Sequence, residues 1–90
     1  LLKGPVDIVC DKDRCLTIAG GNAGMTKGGT GDVLAGLVTA LYAKNDAFLS
    51  AVSASFINKK AGESLFDQAG LYYNASDLVN EIPSVMKKYI

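Results

Sequence analysis

Six of the twelve residues from Gly20 to Gly31 are glycine, and an aspartate follows at once, before an apolar run: GGNAGMTKGGTGDVLAGL. So much bare backbone fits neither a helix nor a strand. A segment that abandons side chains in front of a helix is suited to bringing backbone N–H groups close to an anion. The first N–H groups of a helix have no intrahelical partner and carry partial positive charge. Gly28, Gly29 and Gly31 therefore read as a phosphate cradle, with Thr30 adding a hydroxyl and Lys27 a cation. The lysine that follows the last glycine in a P-loop is absent. So is the third glycine of a dinucleotide-binding fingerprint, because Gly29-Thr30-Gly31 runs into Asp32, Val33 and Leu34.

Asp32 needs its own explanation. Alone, an acid at a helix start caps it and suits its dipole. Beside a phosphate cradle, however, a carboxylate repels the ligand unless it serves the chemistry. It does so if it accepts the proton of a substrate hydroxyl whose oxygen attacks the terminal phosphoryl group, while the loop amides stabilise the developing charge. The loop thus points to phosphoryl transfer to an alcohol.

The rest of the chain reads as α/β. Val6 to Cys10 and Cys15 to Ala19 form a hairpin around the polar turn Asp11-Lys12-Asp13-Arg14. Apolar residues at intervals of three and four predict a helix from about Thr30 to Ala43. A second helix runs from about Ala47 to Lys60 and on past Gly62 to Gln68, capped by Asn45 or Asp46 and stopped at Gly70. Its stripe of Phe48, Val52 and Phe56 is the expected core or subunit contact. A last helix starts near Ala75, with Asn74 or Ser76 as cap, and Pro83 can open a second short turn within it. Two strands and three or four helices close a core poorly. A chain of 90 residues beginning LLKGPVDIV is expected to be a piece of a larger α/β domain.

Charge and composition narrow the partners. Nine basic and nine acidic residues leave no net charge, which recommends neither nucleic acid nor an acidic membrane. No apolar run approaches the ~20 residues of a membrane helix. Cys10 and Cys15 leave a short-loop disulfide or a metal pair open, with two reduced structural thiols the favoured reading. Tyr73 and Tyr72 read as a packing anchor before an adenine stack. Glu63 with Asp67, Lys59 with Lys60, and Lys87 with Lys88 read as solvated faces.

The glycine segment resembles the signature of the ribokinase-like superfamily, and most closely that of the NAD(P)H-hydrate dehydratases, which repair hydrated nicotinamide cofactors. That family carries N-x-G-M followed by G-G-[ST]-G-D-V-L-[AS]-G. Here those positions are Asn22-Ala23-Gly24-Met25 and Gly28-Gly29-Thr30-Gly31-Asp32-Val33-Leu34-Ala35-Gly36. Leu2-Lys3-Gly4 stands where the family has L-K-G, and Ala75-Ser76-Asp77-Leu78 with Ile82-Pro83 matches its closing A-S-D-L … I-P. Two departures are visible. Thr26-Lys27 replaces a common Ala-Thr, and Asn58-Lys59-Lys60-Ala61-Gly62 keeps the Ala-Gly of an H-G-x-A-G pattern without its histidine.

The resemblance implies that residues 1–90 are the C-terminal part of a ribokinase-like α/β/α sandwich, a nucleotide-binding catalytic domain whose remainder lies upstream. It implies ADP- or ATP-dependent dehydration of the S epimer of NAD(P)H hydrate with Mg²⁺. The ring hydroxyl is phosphorylated and phosphate is then eliminated. Asp32 would be the base and contact the hydrate. Lys3, Gly4, Pro5, Val6 and Asp7 would line the nucleotide site. Asn22, Ala23, Gly24, Met25, Thr26, Lys27, Gly28, Gly29, Thr30 and Gly31 would hold the phosphates. A cytoplasmic homo-oligomer is expected, with room for an epimerase domain fused upstream, and the 90 residues alone are not expected to turn over substrate. A related kinase, for instance of hydroxyethylthiazole, is the alternative enzyme. A nucleotide-binding module without activity is the third reading.

Overall fold

The computed structural model describes residues 1–89. Strands β1 (Val6–Cys10) and β2 (Cys15–Ala19) pair antiparallel, with Val6 opposite Ala19 and Cys10 opposite Cys15. A 3₁₀ turn at Ala23–Thr26 leads into three helices, α1 (Thr30–Tyr42), α2 (Ala47–Ala69) and α3 (Ala75–Tyr89). Leu2 adds one more antiparallel bridge, to Ile8. The expected α/β order is thus present, and no described helix is long and apolar enough to cross a membrane.

The helix ends follow the local chemistry. Asp46 rather than Asn45 caps α2, accepting the Leu49 N–H at 2.7 Å. Asn74 rather than Ser76 caps α3, accepting from the Asp77 N–H while Asp77 accepts from the Asn74 N–H, both at 2.9 Å. This reciprocal pair is the geometry of a capping box. Gly70 ends α2 at φ +61. Pro83 does not divide α3, which continues through it.

The core differs from the expected stripe. It is built from Met25, Ile57, Ala61, Leu65, Tyr73, Leu78 and Val85, with Val33, Leu37 and Leu41 of α1 packed against it. Phe48 and Val52 are only half-buried, and Phe56 is 38% exposed. Phe48 instead lies under the Arg14 guanidinium, and Phe56 meets Tyr89 edge-on with centroids 5.4 Å apart. The reason is the run of small residues on the other side of α2. Ala54 and Ala61 are fully buried, which lets α1, β1 and the glycine segment approach the helix axis closely. At Gly62 even a methyl group would collide with the Met25 sulfur.

The cysteines are also corrected. Hairpin register puts Cys10 directly across from Cys15, and the two form a disulfide rather than remaining reduced thiols.

Candidate functional site: a braced glycine loop and an adjoining cleft

The glycine segment is held from three sides. The Asn22 carboxamide oxygen accepts from the Gly24 N–H at 2.9 Å and the Tyr73 hydroxyl at 2.6 Å, and its nitrogen donates to the Gly62 carbonyl at 2.8 Å. The Gly21 N–H donates to Glu63 at 3.1 Å. Thr30 is buried, and its hydroxyl lies 2.6 Å from the Met25 carbonyl oxygen and 2.7 Å from that of Lys27, its single proton shared between them. Lys3 reaches across to the Met25 carbonyl and the Thr30 hydroxyl, each at 3.2 Å. Lys27 turns away from the helix start. Its ammonium donates to the Leu71 and Tyr73 carbonyls and lies over the Tyr73 ring. Its side chain therefore ties the loop to the α2–α3 connection.

This bracing leaves the helix start open. Gly29 precedes α1 at φ +89, a conformation that suits glycine. The Thr30 N–H is bonded to the Lys27 carbonyl, and the Val33 N–H to that of Gly29. Among the described residues, no loop or side-chain acceptor takes the N–H groups of Gly28, Gly29, Gly31 or Asp32. A side chain added at Gly28 or Gly31 would meet nothing within 4 Å. Neither glycine is needed for packing or for a positive φ, so the space in front of them is free for a ligand. Asp32 stands exposed in the first turn.

Next to the loop is a cleft of about 430 Å³, between β1, the glycine segment and α2. Lys3, Gly4, Pro5, Asp7, Asn22, Ala23, Met25 and Thr26 line it. Gly20, Gly21, Asn58 and Lys59 join them. Val6 points outward on the hairpin, 45% exposed, and Lys27 to Asp32 lie beyond the cleft lining.

Lys59 is a correction. It is not on a solvated face but 5% exposed, donating to the Gly4, Pro5 and Gly20 carbonyls and pairing with Asp7 at 3.5 Å. Asp7, 1% exposed, also accepts the Gly4 N–H at 2.9 Å and the Ser55 hydroxyl at 2.6 Å. The two lips of the cleft are joined through this one ammonium. Two signals for it lie in the sequence. Asp7 occupies an inward strand position, and Lys59 stands four residues from Ser55 among Ala and Ser on α2.

Two titrating groups belong to the brace. The N–H of Gly21 holds the Glu63 carboxyl below its usual range; burial opposes this, and Lys60 adds to it. Burial raises the Tyr73 phenol, with its Asn22 hydrogen bond working the other way. Tyr73 is the expected packing anchor, whereas Tyr72 is 93% exposed.

A family model described as NAD(P)H-hydrate dehydratase matches residues 1–84. The chain belongs to that family. Its relatives include a bifunctional NAD(P)H-hydrate repair enzyme Nnr of Methanocaldococcus jannaschii, 52% identical over 97% of this chain and 18% of the relative. An enzyme of the same name from Archaeoglobus fulgidus is 49% identical over 96% of the chain and 18% of its own length. An ADP-dependent (S)-NAD(P)H-hydrate dehydratase of Cenarchaeum symbiosum is 46% identical over 99% of the chain and 31% of its own length. The chain thus spans less than a third of the length of these family members.

Proposed function

We propose that the whole protein uses ADP or ATP to dehydrate (S)-NAD(P)H hydrate in the cytoplasm, and that residues 1–90 supply the phosphate cradle and the catalytic base. The observation that carries this reading is the start of α1. The N–H groups of Gly28, Gly29, Gly31 and Asp32 have no loop or side-chain acceptor, a side chain added at Gly28 or Gly31 would meet nothing within 4 Å, and an exposed carboxylate stands in the same turn. An anion is stabilised by those dipoles, and a hydroxyl proton is accepted by Asp32.

In this reading the Asp32 carboxylate takes the proton of the hydrate hydroxyl as its oxygen attacks the terminal phosphoryl group. The loop amides stabilise charge on the equatorial oxygens, and nucleoside mono- or diphosphate leaves. Phosphate is then eliminated from the ring and the double bond returns. The C. symbiosum relative is named ADP-dependent, which favours ADP as donor. The described residues hold no group of three or more His, Cys, Asp or Glu that could hold a metal. Mg²⁺ accompanying a nucleotide needs at most one or two protein carboxylates. It would supply neutralisation of phosphate charge.

The outward hairpin face, with Val6, Ile8 and Leu16 exposed, supports a remainder of the domain that packs over it. The relatives named bifunctional support a fused second activity. A homo-oligomer remains part of the proposal.

The test uses the full-length protein with hydrated NADH, Mg²⁺ and either ADP or ATP, following the return of NADH absorbance. Nucleotide-dependent recovery is expected in the wild type. In Asp32→Asn turnover falls by about 10²- to 10⁴-fold, while nucleotide affinity holds or improves because a negative charge has left the phosphate site. Bound nucleotide without recovery of NADH would overturn the dehydratase reading in favour of a kinase acting on another alcohol.

A further inference from the structure

The polar side chains lining the cleft are occupied, with one exception. Lys3 is bonded to the loop, Asp7 to Gly4 and Ser55, Asn22 to Gly62 and Tyr73, Thr26 to Ala23, and Lys59 to three carbonyls. Asn58 is 1% exposed and lines the same cleft, yet its Oδ1 has no hydrogen-bond partner. It is the one buried side-chain oxygen or nitrogen left so among the described residues. An unpaired buried acceptor is costly, and a fold retains one where something else completes it.

A carboxamide offers an acceptor and a donor side by side in one plane. That edge matches a 6-aminopurine, whose exocyclic amine donates while its neighbouring N7 accepts. A 6-oxopurine presents two acceptors there and leaves Oδ1 without a donor. The cleft suits a flat ring, since Pro5, Ala23 and Met25 contribute apolar wall and its volume is about 430 Å³. It also adjoins the loop whose free amides await phosphate, so one nucleotide can reach both.

We propose that Asn58 is a specificity-determining residue that reads the adenine of the nucleotide. Oδ1 accepts from the exocyclic amine and Nδ2 donates to N7. This inference rests on the reading of the loop and cleft as a nucleotide site.

The test measures binding of ADP, IDP and inorganic pyrophosphate to the full-length protein by calorimetry. In the wild type, ADP should bind about 5- to 150-fold more tightly than IDP, the discrimination of one bidentate pair. In Asn58→Leu, of similar volume, that ratio should fall close to one, with pyrophosphate affinity unchanged. The melting temperature should hold or rise, because the unpaired oxygen is gone. Asn58→Ser, too short to bridge both base atoms, provides the same readout should the leucine variant not fold. A folded variant that keeps the wild-type ratio overturns the inference and leaves the nucleotide reading standing. A wild type that binds ADP and IDP equally does the same. A wild type that binds neither ADP nor pyrophosphate overturns both.

Discussion

The Lys59 ammonium lies 3.5 Å from an Asp7 carboxylate oxygen, with side chains only 6% and 2% exposed. The pair links α2 to the head of β1, and the same ammonium reaches the Gly20 carbonyl where the glycine segment begins. A buried ion pair of this kind is weak evidence for stability, since desolvation offsets much of the attraction. Its consequence is positional: the strand, the loop and the helix that shape the cleft meet at one charge.

Removing one partner should be far worse than removing both. Lys59→Met leaves the Asp7 carboxylate buried without its cation and should destabilise the full-length protein by about 3–5 kcal/mol. Asp7→Asn combined with Lys59→Met should recover much of that loss. Urea unfolding of the two variants checks the pair. Equal losses in both would mean that Lys59 acts through its carbonyl contacts rather than through Asp7.

Gly31 separates binding from folding. Its added side chain meets nothing within 4 Å and its backbone is helical, so Gly31→Leu should fold with stability within about 1 kcal/mol of the wild type. The side chain occupies the space before the free amides, and ADP affinity should fall roughly tenfold or more. Gly29→Ala should show a different balance. Gly29 has φ +89 and a methyl there comes to 3.0 Å from Ala75, so about 1 kcal/mol or more of stability should be lost. Thermal melts beside ADP titrations distinguish the two.

The hairpin disulfide closes a short loop, five residues apart in sequence. Cys10→Ser should lower stability by about 2 kcal/mol through the unfolded chain. Reduced wild type should match the variant. Thiol titration of the unreduced, denatured protein should find neither Cys10 nor Cys15 free.

Glu63 and Tyr73 set opposite limits in pH. The folded carboxyl of Glu63 titrates below its usual value of 4.5. Its contribution is thus present above that pH and lost as pH falls through the lower folded value. Glu63→Gln should flatten the acid side of a plot of urea midpoint against pH. The folded Tyr73 phenol titrates above 10.0, so its contribution holds below that pH and is lost as pH rises through the folded value. Tyr73→Phe should flatten the alkaline side.

Local patterns determined the elements. The spacing of apolar residues in 30–43 and 47–68 marked α1 and α2, and the polar turn between two β-branched runs marked the hairpin. The glycines, with an acid at their end, marked the loop before α1 as a candidate anion site, because backbone conformation and the dipole of a helix start are local properties. Tertiary structure decided the rest. Two apolar faces of α2 were open to the core, and the one bearing Ala54, Ile57 and Ala61 won because small residues let β1 and the loop approach closely. Lys59 and Asp7, 52 positions apart, became a buried pair only when that approach brought them together. Lys27 found the Leu71 and Tyr73 carbonyls, and Asn58 was left with an unpaired oxygen, for the same reason. The partners of a polar side chain are set by distances across the fold, which no spacing along the chain records.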